Sequence, residues 1–568
     1  MKYLIRNKIM KIPIYRPLLI AGLAAAMASC GSSAPAIVST PIENIDEMPL
    51  KVDELTEVEL QGWGGADLVS DTIPGMSVQK AYNEIIKNNK GKKVIVAVID
   101  SGVDIEHEDL DGVIWINDDE KPNNNRDDDN NGYVDDIYGW NFLGDVVEEN
   151  LEYTRIYKKL KPKYGSIPTS AVKPEDREEF ERYLEAKAEY EKEYNETLGM
   201  KNQYEGIVQQ LKLSHDAVST QLGKEDYTLE ELREMPANTE EMQQYKGFLS
   251  QVMSNVEGTI PEAITQLQEA IDYFDGRLSS HFNLNLDARA VVGDDVDDIT
   301  DTDYGNNNVM GPTPDKEDIK HGTHVAGIIA AERENNMGIN GVANNVEIMA
   351  IRAVPDGDEY DKDIALAIRY AVDNGASIIN TSFGKYFSTH PEWVRDAIRY
   401  ADENDVLIVN AAGNEGLNLD QKAVFPNDQD PENPNEISEN FLTVGALNYE
   451  YGSGLVAGFS NFGKTNVDVF APGTKIWSTT PNNEYEFLQG TSMAAPAVAG
   501  VAAMIRSYYP KLSDEQVKRV IMESGLTSNA TVIIGGDPSN TIKFSELSTS
   551  GKMANLYNAL IMADKISN

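Results

Sequence analysis

Ser492 lies in Gly490-Thr491-Ser492-Met493-Ala494-Ala495-Pro496, and the stretch 493–505 behind it carries no charge. Those small apolar residues predict a tightly packed, buried helix. A hydroxyl on the first turn of such a helix meets free backbone N–H groups and the positive end of the dipole, and both favour an oxyanion beside it. The same residue type is an ordinary helix cap. His321 opens a second small-residue helix in HGTHVAG. With His324 three positions on it also offers two imidazoles to zinc, but no third ligand set stands nearby. Asp100 closes the apolar run 94–99, at the carboxyl end of a strand, where α/β folds place their sites; a carboxylate there also caps turns. Asn414 follows another strand, in AAGNEG.

A further cluster is acidic. Asp127-x-Asp129-x-Asn131-Gly132 matches the first half of a calcium loop, with oxygen donors at alternate positions and a glycine for the sharp turn. Position twelve is Tyr138, so Asp135 or Asp136 must complete the ligand set. The alternative is a solvated acidic turn.

The elements that must position these residues alternate in type. The apolar run 94–99 and the segments 346–353, 377–381, 406–411, 442–446 and 467–471 read as strands. Helical patterns at 361–373, 391–403, 514–524 and 554–563 fall among and after them. Repeated βα units predict a three-layer, doubly wound, mainly parallel α/β sheet. Residues 146–289 break the pattern with charged, Gln-rich helical periodicity. Stripes run through Phe180, Leu184 and Leu198, through Tyr204, Ile207, Leu211, Val218 and Leu222, through Met242, Tyr245, Leu249 and Val252, and through Ile264, Leu267 and Ile271. Thr228-x-x-Glu231 is a capping-box pattern. This is an all-helical insertion of several antiparallel helices, with no ligand site in its sequence. The domains are then 76–145 with 290–568 for the sheet, 146–289 for the insertion and 31–75 for a tether and arm.

The chain of 568 residues, 41% hydrophobic, can bury a large core. A formal net charge of −44 argues against nucleic-acid partners, whose phosphates it would repel. At the start, Lys2, Arg6, Lys8, Lys11 and Arg16 precede a short apolar stretch and then Ala28-Ser29-Cys30, a secretory pattern over 1–30. Cys30 is the only cysteine, so no intramolecular disulfide forms. Its position resembles the bacterial lipoprotein box, which implies lipidation of the thiol and an exported protein anchored to a bacterial membrane.

Taken together, Asp100 in VIDSGVD, His321 in HGTHVAG, Asn414 in AAGNEG and Ser492 in GTSMAAP resemble the subtilisin-like serine peptidases, and the chain order Asp, His, Ser is that of the family. The resemblance covers about 76–145 and 290–568. It implies Ser492 as nucleophile, His321 as general base, Asp100 as the carboxylate holding the imidazole tautomer, and Asn414 as oxyanion donor together with the Ser492 N–H. It also implies protein or peptide substrates lying as an added strand along Ser382, Phe383 and Gly384 and near Arg352-Ala353-Val354. Calcium enters as a structural ion, and no organic cofactor is needed. Two departures stand out: 221 positions separate Asp100 from His321, with the insertion between them, and Lys385 stands where many relatives have a second glycine. The insertion is free to act as a lid, a cleft wall or a partner-binding module. The family's inhibitory prosegment is not evident in 31–75.

Overall fold

In the computed structural model, residues 37, 39–43, 45–47, 51, 54–256, 258–430 and 433–567 are described. Residues 1–30, expected to be an export signal, and Cys30, expected to be lipidated, lie outside the described residues. Strand β1 (Val94–Asp100) is followed by a long loop and the short β2 (Gly139–Asn141). The insertion then runs through α1 (Glu152–Tyr164), α2 (Arg177–Leu222), α3 (Leu229–Glu234), α4 (Glu240–Asn255) and α5 (Ile260–Ser279). Helix α6 (Lys320–Ala330) returns to the sheet domain, followed by β3 (Val346–Arg352), α7 (Asp361–Asp373), β4 (Ile378–Thr381), α8 (Pro391–Glu403), β5 (Leu407–Ala411), β6 (Phe441–Leu447) and β7 (Val469–Pro472). A hairpin of β8 (Ile476–Thr480) and β9 (Glu484–Leu488) precedes α9 (Thr491–Tyr508) and α10 (Asp514–Ser524). Strands β10 (Leu526–Thr527) and β11 (Lys552–Met553) and helix α11 (Leu556–Ser567) complete the fold.

The main sheet has the order β10-β11-β7-β6-β5-β4-β1-β3-β2. Every pairing in it is parallel except β10 with β11 at one edge. Strand β1 shows why its run has no polar alternation. Val94, Val96 and Val98 join one core, with α6, α9 and α11, while Ala97 and Ile99 join the other, with α7 and α8. Successive side chains point to opposite faces, and both faces are covered. The chain passes from β1 to β3 on one side and to β4 on the other, so the crevice beyond the carboxyl end of β1 is a topological switch point.

The insertion has its own packing. Its two stripes at 180–198 and 204–222 belong to one 46-residue helix, α2, whose two halves change partner. Phe180, Tyr183 and Ala186 pack on α1 residues Ile156, Tyr157 and Tyr164. Leu211 and Val218 pack with Tyr227, Leu232, Leu249 and Ile260. Tyr183, rather than Leu184, is the buried residue of the first stripe; Leu184 is exposed, because the half-helix turns its aromatic edge toward α1.

Candidate active site

Asp100 ends β1 and is 1% exposed. Its Oδ1 accepts from the Ser101 N–H at 2.7 Å and lies 2.7 Å from His321 Nδ1. His321 is the second residue of α6, so the helix N-terminus brings the imidazole to the strand end. Gly322 permits the approach: a Cβ there would stand 2.1 Å from the Gly102 carbonyl oxygen and 3.1 Å from Asp100 Oδ1. A proton on Nδ1 is satisfied by Asp100, which leaves Nε2 bare and basic. Burial lowers the affinity of His321 for a proton, but the Asp100 charge and hydrogen bond outweigh it and raise its pKa above the ordinary 6.5. His324 behaves oppositely. It is fully buried, its Nε2 lies 3.1 Å from both the Ile476 and Glu486 carbonyl oxygens, and burial pushes its pKa down to about 3. It is a neutral imidazole spanning α6 and the β8–β9 hairpin, so the zinc alternative has no support in its surroundings.

Ser492 is the second residue of α9. Pro496, four positions on, has no N–H to give the Ser492 carbonyl. The Ser382 hydroxyl takes that place, donating to Ser492 O at 2.9 Å, and the Ser492 hydroxyl donates back to Ser382 O at 2.9 Å. This reciprocal clasp ties α9 to the segment leaving β4. Asn414 follows β5, and its Oδ1 accepts from the N–H and hydroxyl of Thr491 at 2.8 and 3.0 Å. Thr491 Oγ1 also accepts from the Gly413 N–H at 3.0 Å. With its oxygen so engaged, the carboxamide presents Nδ2 away from Thr491. Gly490 has φ +154°, which suits glycine, and a Cβ there would lie 3.5 Å from both Asn414 Nδ2 and the Ser492 nitrogen. One small volume therefore faces both donors.

Asp100, His321, Asn414 and Ser492 line one groove of ≈ 770 Å³. Ser382, Phe383 and Gly384 form one wall of it and Val354 to Glu359 the other. The ladder of β4 ends at Thr381, so the backbone of Phe383 and Gly384 is outside the sheet's hydrogen bonding. Thr491 was not singled out in the sequence; its place between glycine and serine is the signal that it fixes the amide.

The acidic loop is only partly as expected. Asp127 and Asp129 carry carboxylate oxygens within 4.8 Å of one another and of Glu120, which the spacing argument missed because it lies outside the Asp-x-Asp-x-Asn repeat. Glu120 is 6% exposed; its Oε1 accepts from the Asp128 and Asp129 N–H groups, and its buried Oε2 has no donor. Asn131 donates Nδ2 to Asp129 and Asp136. Asp135 turns aside to accept from the Asn124 and Asn125 N–H groups, and Asp136 accepts from Tyr370, Asn117 and Asn131. Burial pushes the Asp136 pKa up to about 6, against the lowering effect of those three donors.

The subtilase family profile matches residues 91–144 and 158–544, and the chain belongs to that family. Over 226 residues it is 40% identical to the thermophilic serine proteinase of Bacillus sp. (strain AK1), covering 39% of this chain and 48% of that one. Over 225 residues it is 36% identical to subtilisin DY of Bacillus licheniformis, covering 39% of this chain and 74% of that one. The cell wall-associated protease of Bacillus subtilis (strain 168) is 32% identical over 237 residues, 42% of this chain and 24% of its own. Among solved structures, a cold adapted subtilisin-like serine proteinase overlaps 40% of this chain and 74% of its own at 27% identity and a TM-score of 0.32.

Proposed function

We propose that this chain is an exported serine endopeptidase that cleaves extended protein or peptide substrates through an acyl-enzyme on Ser492. The observation that carries this reading is the 2.7 Å contact of Asp100 with His321 in the groove that also holds Ser492 and Asn414. The Ser492 hydroxyl exchanges the Ser382 carbonyl for His321 Nε2, gives its proton to that nitrogen and attacks the scissile carbonyl. The oxyanion that forms is stabilised by Asn414 Nδ2 and the Ser492 N–H, free because it lies in the first turn of α9. His321 returns the proton to the leaving amine; water, activated the same way, then releases the acyl group. Asp100 keeps Nδ1 protonated throughout and stabilises the imidazolium. Substrate backbone runs between the Ser382–Gly384 wall and the 353–359 wall as an added strand.

The residues of the acidic loop fit a calcium ion, held by Glu120, Asp127 and Asp129, because Glu120 brings a buried oxygen without a donor to a cluster of carboxylates. Bound there, an ion would supply charge neutralisation that braces the loop, apart from the hydrolytic residues. Lipidation at Cys30 and anchoring on the outer side of a bacterial membrane rest on the sequence pattern of 1–30. Labelling of the full chain with a fluorophosphonate tests the reading. Labelling that vanishes in Ser492→Ala supports it, and a folded wild-type protein that resists the probe overturns it. Chelation should lower Tm without changing the labelling chemistry, and Glu120→Gln should remove that sensitivity; a Tm indifferent to chelator rejects the ion.

A further inference from the structure

Of residues 146–289, Val147 is the one that lines the groove among the described residues. The root of the insertion nevertheless grips both groove walls. On the first wall, the Glu149 N–H donates to Asp356 O at 2.8 Å and the Asp356 N–H donates to Val147 O at 2.7 Å. His281 Nε2 lies 3.1 Å from Asp356 Oδ1. The Arg155 guanidinium forks to the carbonyl oxygens of Asp358 and Glu359 at 2.6 and 3.0 Å. Helix α1 has no side-chain cap of its own. Its first amide, at Glu152, donates instead to Asp358 Oδ2 at 2.7 Å, so the groove wall caps the insertion's helix.

The second wall is reached through Lys385, directly after Gly384 and 3% exposed. Its ammonium lies 3.0 Å from Asp361 Oδ1 and 3.6 Å from Glu152 Oε2, and donates to Glu359 O at 2.6 Å. The Thr389 hydroxyl donates to Glu152, and Arg182 of α2 donates to the Ser388 carbonyl. Burial pushes the Glu152 carboxyl up, but Arg155 and Lys385 outweigh it and hold it at about 2. Arg155 Nε donates to Glu152 Oε2 at 2.9 Å, so this one carboxylate at the start of α1 joins a cation bound to the first wall and a cation anchored in the second.

We propose that Glu152, Arg155 and Lys385 form a tie that fixes the spacing of the two groove walls, making the insertion a positioning element for extended peptide substrates. A peptide that hydrogen-bonds as a strand to both walls needs them at one separation, because such bonds weaken steeply off their optimal geometry. Removing one cation leaves a buried carboxylate uncompensated, and the groups bonded around it are those that carry the walls. A small phosphonate that reaches Ser492 alone does not sense that spacing. The inference rests on the peptidase reading, and the test separates the two.

Lys385→Met and Arg155→Lys are compared in the full chain, with Lys385→Arg as the conservative replacement. The readouts are kcat and KM for six-residue peptides and the fluorophosphonate labelling rate of Ser492. Both substitutions should lower kcat/KM on the peptides about ten- to a hundredfold, chiefly through KM, since a displacement of an ångström at a substrate-positioning group costs about that much. Labelling should stay within about threefold of wild type, and Lys385→Arg should recover most of the peptide activity. Equal losses in both readouts overturn the proposal by showing a general structural role, and so do unchanged peptide kinetics. If Lys385→Met does not fold, Arg155→Lys decides alone, because it keeps the charge beside Glu152 while losing the guanidinium's spread of bonds to Glu152 and to the Asn150, Asp358 and Glu359 carbonyls. A wild-type protein that is folded and not labelled overturns the peptidase reading itself, and this inference with it.

Discussion

The distal helices of the insertion and the two helices that carry His321 and Ser492 start differently. In the insertion, α3, α4 and α5 each begin on their own threonine, Thr228, Thr239 and Thr259, and Glu231 and Glu262 close capping boxes on the first and last. In the sheet domain, α6 and α9 have no side-chain cap, and their free N-termini carry His321 and Ser492. Helix α10, away from the groove, is capped in a full box by Ser513 and Gln516. A cap satisfies orphan N–H groups and stabilises the helix. At α9 they are left open, and stability comes from burial instead: α9 is buried along nearly its whole length. Helices α1, α2, α7 and α8 also lack a side-chain cap, so what sets α6 and α9 apart is the side chains they carry at those open ends and the burial behind them.

Substitutions can separate the two regimes. Asp100→Asn should lower kcat about 10⁴-fold with the fold retained, since the imidazole loses its tautomer partner. The pH profile gives the sign. On the proposed mechanism His321 works unprotonated, so activity should fall as pH drops through its pKa, which Asp100 holds above 6.5; the acid limb should therefore lie above that value and move lower in the Asn variant. The same pair stabilises the fold below the unfolded histidine's pKa and loses that contribution as pH rises through the raised folded pKa, so the pair's stabilisation is greatest where activity is least. An acid limb below 6.5 in the wild type would contradict the geometry. Asn414→Ala should cost about 10²–10³ in kcat and lower stability by about 1–3 kcal/mol, since it strips the Thr491 N–H and hydroxyl of their acceptor. Gly490→Ala should also lower kcat, by placing a methyl group near both donors, and should lower Tm as well, because φ +154° is strained for alanine.

On the insertion the balance should invert. Leu249→Ala, in the core it shares with Leu211 and Val218, should destabilise the insertion by about 2–5 kcal/mol in calorimetry while Ser492 labelling holds. Thr228→Ala, which removes a cap, should cost about 1 kcal/mol and leave hydrolysis untouched. Loss of labelling in either would show that the distal helices, as well as the root, support the site.

Much of the sheet domain was legible because its signals are local. The bounds 361–373, 391–403 and 514–524 read from periodicity are those of α7, α8 and α10. The β8–β9 hairpin went unread although Asn482 and Asn483 both have positive φ, because its strands do not alternate cleanly. The single long α2 went unread as such because its apolar stripe shifts when its partner changes. Lys385 was visible only as a residue out of place.

By itself, the sequence determined the element types, the residues with chemical potential and their order, since period, composition and motif spacing are properties of the chain. The tertiary structure alone decided which of them meet. It set Asp100 against His321 across 221 positions and gave Asn414 its orientation through Thr491. It also joined Glu152 to Lys385 and Glu120 to Asp127 and Asp129. Such contacts depend on strand order and helix approach, which long-range burial chooses and no local pattern encodes.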